Sequence, residues 1–217
     1  MSKFWSKVVH GLTPYIPGEQ PKIDSLVKLN TNENPYGPSP KVIAAIKQFA
    51  DDTLKLYPDP DSEALKKSIA DYFKVKTHNV FVGNGSDEVL AMAFQALLKH
   101  NAPILFPDIT YSFYPVYCKL YEIDFKVIPV NSSFEIVLND YLIPNGGIIF
   151  PNPNAPTGIP LTSSQIETFL KKNNDSVVIV DEAYVDFGTE SVIHLTEKYE
   201  SSLKDSTPAI NPNRSIG

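Results

Sequence analysis

An aspartate stands at the end of a short apolar run late in the chain, where residues 176–187 read SVVIVDEAYVDF. Residues 177–180 have the length and composition of a strand that is buried on both faces of a parallel sheet. This pattern places Asp181 at the carboxyl edge of the strand, which is where open α/β sheets bind ligands. An unpaired buried charge is costly. We therefore expect Asp181 either to face a cationic ligand atom or to cap the next helix or turn.

Two other segments carry residue types that suit a ligand site. Residues 83–88 read GNGSDE at the start of a predicted helix, where glycines allow close approach and free amides favour an anion such as phosphate. The segment lacks the lysine of a Walker loop, and Glu88 replaces the third glycine of a dinucleotide fingerprint. A plain helix-start turn is the alternative. Residues 151–158, PNPNAPTG, line the site or form a rigid connection. Tyr111 and Tyr184 are by default core or rim aromatics.

These three loops follow predicted strands in an alternating pattern. Strands are predicted at 79–82, 103–106, 124–130, 147–150 and 177–180. Helices are predicted at 86–99 and 111–121, and a third is capped by Thr162 with Gln165 in a capping box. The alternation indicates a mostly parallel sheet covered by helices. Since the carboxyl ends of parallel strands share one edge, the loops should converge there.

The amino-terminal part has a different composition. Residues 1–38 are rich in proline, glycine and asparagine, which predicts an irregular arm. The arm either packs on its own domain or reaches another subunit. Two helices should follow, one starting at Ser39 and Pro40 and the next after Asp61 or Ser62. Their apolar faces would carry Val42, Ile43, Ile46 and Phe49 in the first, and Leu65, Ile69, Tyr72 and Phe73 in the second.

The composition argues against several classes of protein. The 217 residues are 42% hydrophobic, which is enough for a sizeable core, and the net charge of −6 comes with scattered lysines and arginines. We therefore expect no nucleic-acid partner. No apolar run approaches the ~20 residues that span a bilayer, and the first residues lack a signal-like apolar core, so we expect no membrane partner and a cytoplasmic protein. No metal site is predicted, and Cys118 should be a buried helical residue with a structural role.

Six segments, in this order, closely resemble the histidinol-phosphate aminotransferase family. They are LNTNENPYGPSP at 29–40, LYPDPD at 56–61, GNGSDEVL at 83–90, PDITYSFYPVY at 107–117, NPNAPTG at 152–158 and VDEAYVDF at 180–187. Members of that family are fold-type I enzymes that use pyridoxal 5′-phosphate (PLP). The resemblance implies an α/β protein whose PLP-binding large domain, at residues 39–200, is a three-layer α/β/α sandwich with a mostly parallel sheet. The arm at 1–38 precedes this domain, and an atypical polar tail at 201–217 follows it.

The resemblance also implies a role for individual residues. Asp181 would pair with the pyridine nitrogen and keep the ring protonated. Tyr184 would hydrogen-bond the phenolic oxygen of the ring, and Tyr111 would stack on the ring. The amides of Gly85, Ser86 and Asp87 would hold the phosphate, and Tyr57 would reach the phosphate of the cofactor in a neighbouring subunit. Asn32, Asn34 and Tyr36 would line the substrate pocket. The role of Tyr57 implies a homodimer.

Two features depart from the family pattern. The asparagine that usually precedes PTG is replaced by Ala155, and Asn154 stands one residue earlier, so the contact with the ring oxygen falls to Asn154 or is lost. The family also has a Ser-Lys motif whose lysine forms a Schiff base with PLP, and a small carboxyl-terminal domain. We match neither in the final SSLKDSTPAINPNRSIG, where Lys204 lies in no such motif. We therefore expect a large domain that is truncated before the Schiff-base lysine, and no catalytic residue or turnover in the chain as given.

The implied reaction is a transamination in L-histidine biosynthesis. The family moves an amino group between L-histidinol phosphate and 2-oxoglutarate, whose aminated form is glutamate. The alternatives are a related aromatic amino-acid aminotransferase, a phosphothreonine decarboxylase relative, or a non-catalytic remnant that binds PLP.

Overall fold

The structure, a computed structural model, describes residues 3–12, 18–19, 21–23, 26–173 and 175–199. The predicted polar tail at 201–217, including Lys204, lies outside these residues. The chain divides into two compact units, one within Met1–Pro60 and one within Asp61–Arg214. The second unit contains the sheet.

The first unit consists of short helices and irregular segments. Helix α1 spans Lys7–Gly11, α2 spans Pro40–Phe49, and a 3-10 turn spans Asp52–Lys55. Helix α2 begins where the sequence predicts, because the Ser39 hydroxyl accepts the amide of Lys41 at 3.2 Å and Pro40 occupies the first turn. The predicted apolar residues of α2 remain 40–72% exposed.

The described residues of the second unit form a sheet of four parallel strands. They are β1 (Ile104–Pro107), β2 (Phe125–Ile128), β3 (Ile148–Pro151) and β4 (Val178–Asp181), in the spatial order β2-β1-β3-β4. All three pairings are parallel, and the last residues of β3 and β4, Pro151 and Asp181, are paired in register. The predicted parallel sheet is therefore confirmed. The strand order reverses between β1 and β3, which is the switch point where such sheets bind ligands.

Helices cover both faces of this sheet. On one face, Ile104, Phe106 and Ile149 pack in a cluster with residues of α4 (Gly85–Leu97) and α5 (Tyr114–Tyr121). On the other face, Leu105 and Phe150 pack in a cluster with residues of α6 (Ser163–Lys172) and α7 (His194–Lys198). Neighbouring strand residues thus point to opposite layers, as the two-residue period of a strand requires. The predicted three-layer α/β/α arrangement is confirmed.

The strand predicted at 79–82 is wrong. Thr77–Asn79 form a 3-10 turn, and only Phe81 makes a single isolated bridge. Val80 is buried in a cluster with Ile69 and Ala70 of α3 (Glu63–Phe73). Packing on a helix therefore accounts for an apolar run that resembled a strand.

Three other predictions need correction. The helix predicted at 111–121 begins only at Tyr114, because Pro115 is tolerated in the first turn of a helix and not in its interior. The strand predicted at 124–130 is limited to β2. Strand β4 is half-buried rather than buried on both faces, because it lies at an edge of the sheet formed by the described residues.

The predicted capping box and the predicted buried position of Cys118 are confirmed. The hydroxyl of Thr162 accepts the amide of Gln165 at 3.2 Å, and the Gln165 side chain accepts the amide of Thr162 at 2.8 Å, which completes the capping box. Cys118 is buried on α5, and burial raises the pKa of its thiol to about 12. Among the described residues, no helix has the length and apolar character needed to cross a bilayer.

Candidate active site

The loops after β1, β3 and β4 meet at the carboxyl edge of the sheet. The Tyr114 hydroxyl, from α5 after β1, donates to Asp181 Oδ2 at 2.8 Å. The Thr110 hydroxyl donates to Asn154 Oδ1 at 3.2 Å, which ties the loop after β1 to the loop after β3. The amide of Asn152 donates to the carbonyl oxygen of Asp181 at 2.8 Å. The structure thus brings the predicted loops at 151–158 and 181–184 together at the switch point of the sheet.

Asp181 is the last residue of β4, and its two carboxylate oxygens have different partners. Oδ2 accepts the Tyr114 hydroxyl, and Oδ1 accepts the amide of Ala183 at 3.1 Å. The second bond is a local turn contact of the capping type that the sequence allowed as an alternative. Within the described residues, no lysine, arginine or histidine forms an ion pair with Asp181. Since a carboxylate offers about four acceptor positions, it can still receive a cationic N–H.

The surroundings of Asp181 disfavour its negative charge. Although the residue keeps some exposed surface, burial is the largest influence and raises the pKa of its carboxyl group. The hydrogen bonds from Tyr114 and from Ala183 lower the pKa, and the nearby carboxylate of Asp87 raises it. Burial, reinforced by Asp181, also raises the pKa of Tyr114 well above its usual value, so this phenol is a permanent donor. A cation bound here would relieve the cost of the buried carboxylate.

Tyr111 connects this edge to the start of α4. Its hydroxyl donates to Asp87 Oδ1 at 2.9 Å, and its ring meets the ring of Tyr114 edge-on, with centroids 5.5 Å apart. Burial and the neighbouring Asp87 raise the pKa of Tyr111, so its hydroxyl stays protonated. The Tyr117 hydroxyl fixes the same turn of α4 by donating to the carbonyl oxygen of Asp87 at 2.9 Å.

The first turn of α4 has the geometry of an anion site, although the amide of Gly85 already has an acceptor. Gly85 has φ +85°, a conformation that a side chain would strain, and its amide donates to the carbonyl oxygen of Gly83 at 3.0 Å. The amide of Asn84 donates to the Glu88 carboxylate at 2.5 Å. The amides of Ser86 and Asp87 lie in the first turn, where the helix supplies no acceptor. Of the three predicted phosphate donors, Ser86 and Asp87 are therefore the better placed.

Asn154 is buried, and its side chain is engaged inside the loop. Its amide group donates to the carbonyl oxygen of Ile109 at 2.9 Å and to the Thr157 hydroxyl at 3.2 Å, while its oxygen accepts the Thr110 hydroxyl. Both of its N–H groups are thus in use. In this arrangement Asn154 holds the loops after β1 and β3 together. Ala155 is half-exposed beside it.

Two residues that the sequence did not single out also shape this edge. Tyr114 is one, and Glu182 is the other, since its carboxylate accepts the amide of Val192 at 2.6 Å and the Ser191 hydroxyl at 2.5 Å. These bonds close residues 182–192 into a loop that contains the half-buried Tyr184. The available signal for Tyr114 was its spacing of three residues from Tyr111 at a helix start.

The other predicted site residues belong to the first unit. Tyr57 is fully exposed there and Tyr36 is 83% exposed. The amide of Tyr36 donates to the side-chain oxygen of Asn34 at 3.0 Å, and Asn32 has φ +53°, a conformation that asparagine tolerates. The described residues contain no group of three or more histidine, cysteine, aspartate or glutamate side chains that could hold a metal ion.

Comparisons with known proteins agree on one family. A family model for aminotransferases of class I and II matches residues 24–207. The chain is 64% identical over 203 residues to histidinol-phosphate aminotransferase 1 of Methylococcus capsulatus. This match covers 94% of this chain and 57% of that protein. It is 58% identical over 216 residues to histidinol-phosphate aminotransferase of Pseudomonas syringae, covering 100% of this chain and 61% of that protein. The chain therefore spans about three fifths of the length of these relatives.

A solved structure supports the same fold. The histidinol-phosphate aminotransferase of Sinorhizobium meliloti, in complex with pyridoxal-5′-phosphate, superposes with a TM-score of 0.72 at 20% identity. The match covers 86% of this chain and 52% of that chain. At this identity the likeness establishes the fold alone.

Proposed function

Because the chain belongs to the class I and II aminotransferases, we propose that it forms the PLP-binding part of a histidinol-phosphate aminotransferase. In this reaction 2-oxoglutarate would take up the amino group of L-histidinol phosphate and become glutamate, and the amine-bearing carbon of the donor would become a ketone. The observation that carries this proposal is the identity of 64% and 58% to two proteins of that name, along nearly the whole chain.

The donors at the carboxyl edge of the sheet fit PLP. A half-buried carboxylate without a basic partner among the described residues suits a protonated ring nitrogen. The first-turn amides of α4 suit a phosphate, because amides without acceptors and the helix dipole both favour an anion. The half-buried ring of Tyr111 lies between these two sites, since it contacts Tyr114 and bonds Asp87. When bound, PLP would supply an electron sink for the carbon that loses a proton.

Each residue would then have a definite task. Asp181 would hold the proton on the ring nitrogen, and the amides of Ser86 and Asp87 would hold the phosphate. The amide of Gly85 would also bind the phosphate if it leaves the carbonyl oxygen of Gly83 or donates to both acceptors. Tyr111 would cover one face of the ring and exclude water from it. Tyr184 would donate to the phenolic oxygen of the ring. Asn154 is a second candidate for this contact, but its side-chain amide would first have to release Ile109 or Thr157.

The proposal extends to a second copy of the chain. Tyr57 would reach the phosphate site of a partner subunit in a homodimer, and Asn32, Asn34 and Tyr36 would line the substrate pocket. The full exposure of Tyr57 in one copy is compatible with that task. The proposed location is the cytoplasm. Sedimentation velocity of the purified chain with PLP tests the dimer, and a monomer at all concentrations would contradict it.

The substrate is tested with a completed enzyme. The chain would be joined to the carboxyl-terminal part of the Methylococcus capsulatus relative, because it spans 57% of that protein. We expect transfer from L-histidinol phosphate to 2-oxoglutarate. A preference for phenylalanine or tyrosine would favour the aromatic aminotransferase alternative, and release of carbon dioxide from phosphothreonine would favour the decarboxylase. That the 217 residues alone turn over no substrate stays a prediction, which the same assay checks without the added part.

A further inference from the structure

We propose that Tyr114 is a positioning residue that keeps the carboxylate of Asp181 ionised and fixed in one orientation for a cationic ring nitrogen. This inference rests on the proposed PLP site. It assigns to the site a residue that lies 67 positions away from Asp181 in the sequence.

The first argument is the immobility of the phenol. Tyr114 is fully buried, and its ring contacts those of Phe94 and Phe106, each with centroids 5.9 Å apart, and that of Tyr111 at 5.5 Å. Core side chains packed in this way occupy one rotamer. The hydroxyl is therefore directed at Asp181 Oδ2 before any ligand arrives.

The second argument is the position of this bond in the sheet. Tyr114 begins the helix that follows β1, whereas Asp181 ends β4, and β3 lies between these two strands. The bond thus crosses the switch point and connects the loops on either side of it. With Ala183 on Oδ1, both oxygens of the carboxylate are held, so the plane of the group is fixed.

The third argument is electrostatic. Among the residues that the structure describes, the titratable groups that face Asp181 are Tyr111, Tyr114 and Tyr117 around α5, and Asp87 on α4. None of these is a cation, and Asp87 repels the charge. The Tyr114 hydroxyl is therefore the side-chain donor that offsets the burial of Asp181, and it cannot ionise in its place, because burial raises the pKa of the phenol. Without it, the carboxyl group would hold its proton to higher pH and would meet a ring N–H less often as an anion.

The test replaces only the hydroxyl, in Tyr114→Phe, and compares it with Tyr117→Phe. Tyr117 is the matched control because it lies one turn later on the same helix, its ring belongs to the same cluster, and its hydroxyl donates to a backbone carbonyl instead of Asp181. PLP binding is titrated by absorbance from pH 5 to pH 9 with the 217-residue chain. Below the raised pKa of Asp181, we expect Tyr114→Phe to weaken PLP binding about 10-fold for each tenfold gain in the proton affinity of the carboxyl group, because that proton must leave before the ring N–H can bind. We also expect the acid limb of its pH profile to move to higher pH. Tyr117→Phe should leave that limb in place, and any loss of affinity from the freed first turn of α4 should be the same at every pH.

A measurement without cofactor separates this inference from the proposed function. The ¹³C resonance of the Asp181 carboxyl carbon, assigned with Asp181→Asn, gives the pKa of the group directly. It should rise in Tyr114→Phe and not in Tyr117→Phe. If the wild-type chain fails to bind PLP, the proposed function fails, and the titration still tests Tyr114. An unchanged Asp181 pKa in Tyr114→Phe would overturn the inference even if PLP binds. Should Tyr114→Phe not fold, the ¹³Cζ resonance of Tyr114 in the wild-type chain replaces that variant. It should shift as Asp181 titrates and stay constant in Asp181→Asn, and a Tyr114 resonance that does not follow the titration of Asp181 would overturn the inference.

Discussion

Replacing Asp181 with asparagine should stabilise the ligand-free chain and weaken its binding of PLP. Asparagine keeps the shape of the side chain, its oxygen can still accept the amide of Ala183, and its N–H can donate to the oxygen of Tyr114. The variant therefore removes the charge with little loss of packing, and it exchanges the hydrogen bond that Tyr114 donates for one that Tyr114 accepts. Opposite signs for stability and affinity are expected where a site is built for a charged ligand and not for the empty fold.

The gain in stability follows from the raised pKa of the carboxyl group. Burial raises the pKa of Asp181 in the folded state, so the folded chain binds this proton more tightly than the unfolded chain does. The free energy of unfolding therefore falls as the pH rises through the raised pKa, and remains lowered at neutral pH. We expect Asp181→Asn to be more stable than the wild type at pH 7, and to lose this advantage as the pH falls and the wild-type carboxyl group takes up its proton.

The affinity for PLP should change in the opposite direction. A hydrogen bond between charged groups contributes about 1.5–3 kcal/mol, which corresponds to roughly a 10- to 150-fold weaker dissociation constant. Urea denaturation with and without PLP measures both quantities on one sample. The control is Asp186→Asn, an exposed carboxylate in the same loop, which should change stability by less than about 0.5 kcal/mol. An Asp181→Asn variant that is less stable without PLP and binds PLP as tightly as the wild type would refute the reasoning.

Two further predictions concern the scaffold. Thr162→Ala removes the capping box of α6 and should lower the free energy of unfolding by about 0.5–2 kcal/mol. The control Thr168→Ala, at an exposed site on the same helix, should be neutral or slightly stabilising. Equal effects of the two variants in urea denaturation would argue against the cap. Cys118 should react with a thiol reagent only after denaturation, because it is 1% exposed and its pKa is raised to about 12; full labelling of the native chain at pH 8 within minutes would contradict its buried position.

The sequence was sufficient for the parts of the fold that local chemistry determines. Strands β1, β3 and β4 are apolar runs bounded by turn residues, and the structure places each within a residue or two of its predicted position. The start of α6 was also predictable, because a capping box lies within four consecutive residues. The strand prediction at 79–82 failed because a short apolar run does not show whether it pairs with a strand or packs on a helix. Here Val80 packs on α3.

The candidate site was predictable in place but not in detail. Asp181 could be located because a strand that ends in an aspartate places its carboxylate at the ligand edge. The Tyr114 contact could not be found, since it depends on the tertiary packing of elements that β3 separates. The inward engagement of Asn154 depends likewise on the fold of its loop against Ile109 and Thr110. The residue types thus indicated the kind of ligand that the site suits. The tertiary packing determines which oxygens and amides are available to bind that ligand.

The most direct test is the position of PLP in a crystal structure of this chain grown with the cofactor. We predict the ring nitrogen within hydrogen-bond distance of an Asp181 carboxylate oxygen, the phosphate against the first turn of α4, and the Tyr111 ring against one face of the cofactor. PLP bound elsewhere, or bound at this edge with its phosphate next to Asp181, would contradict the assignment of this edge as the cofactor site.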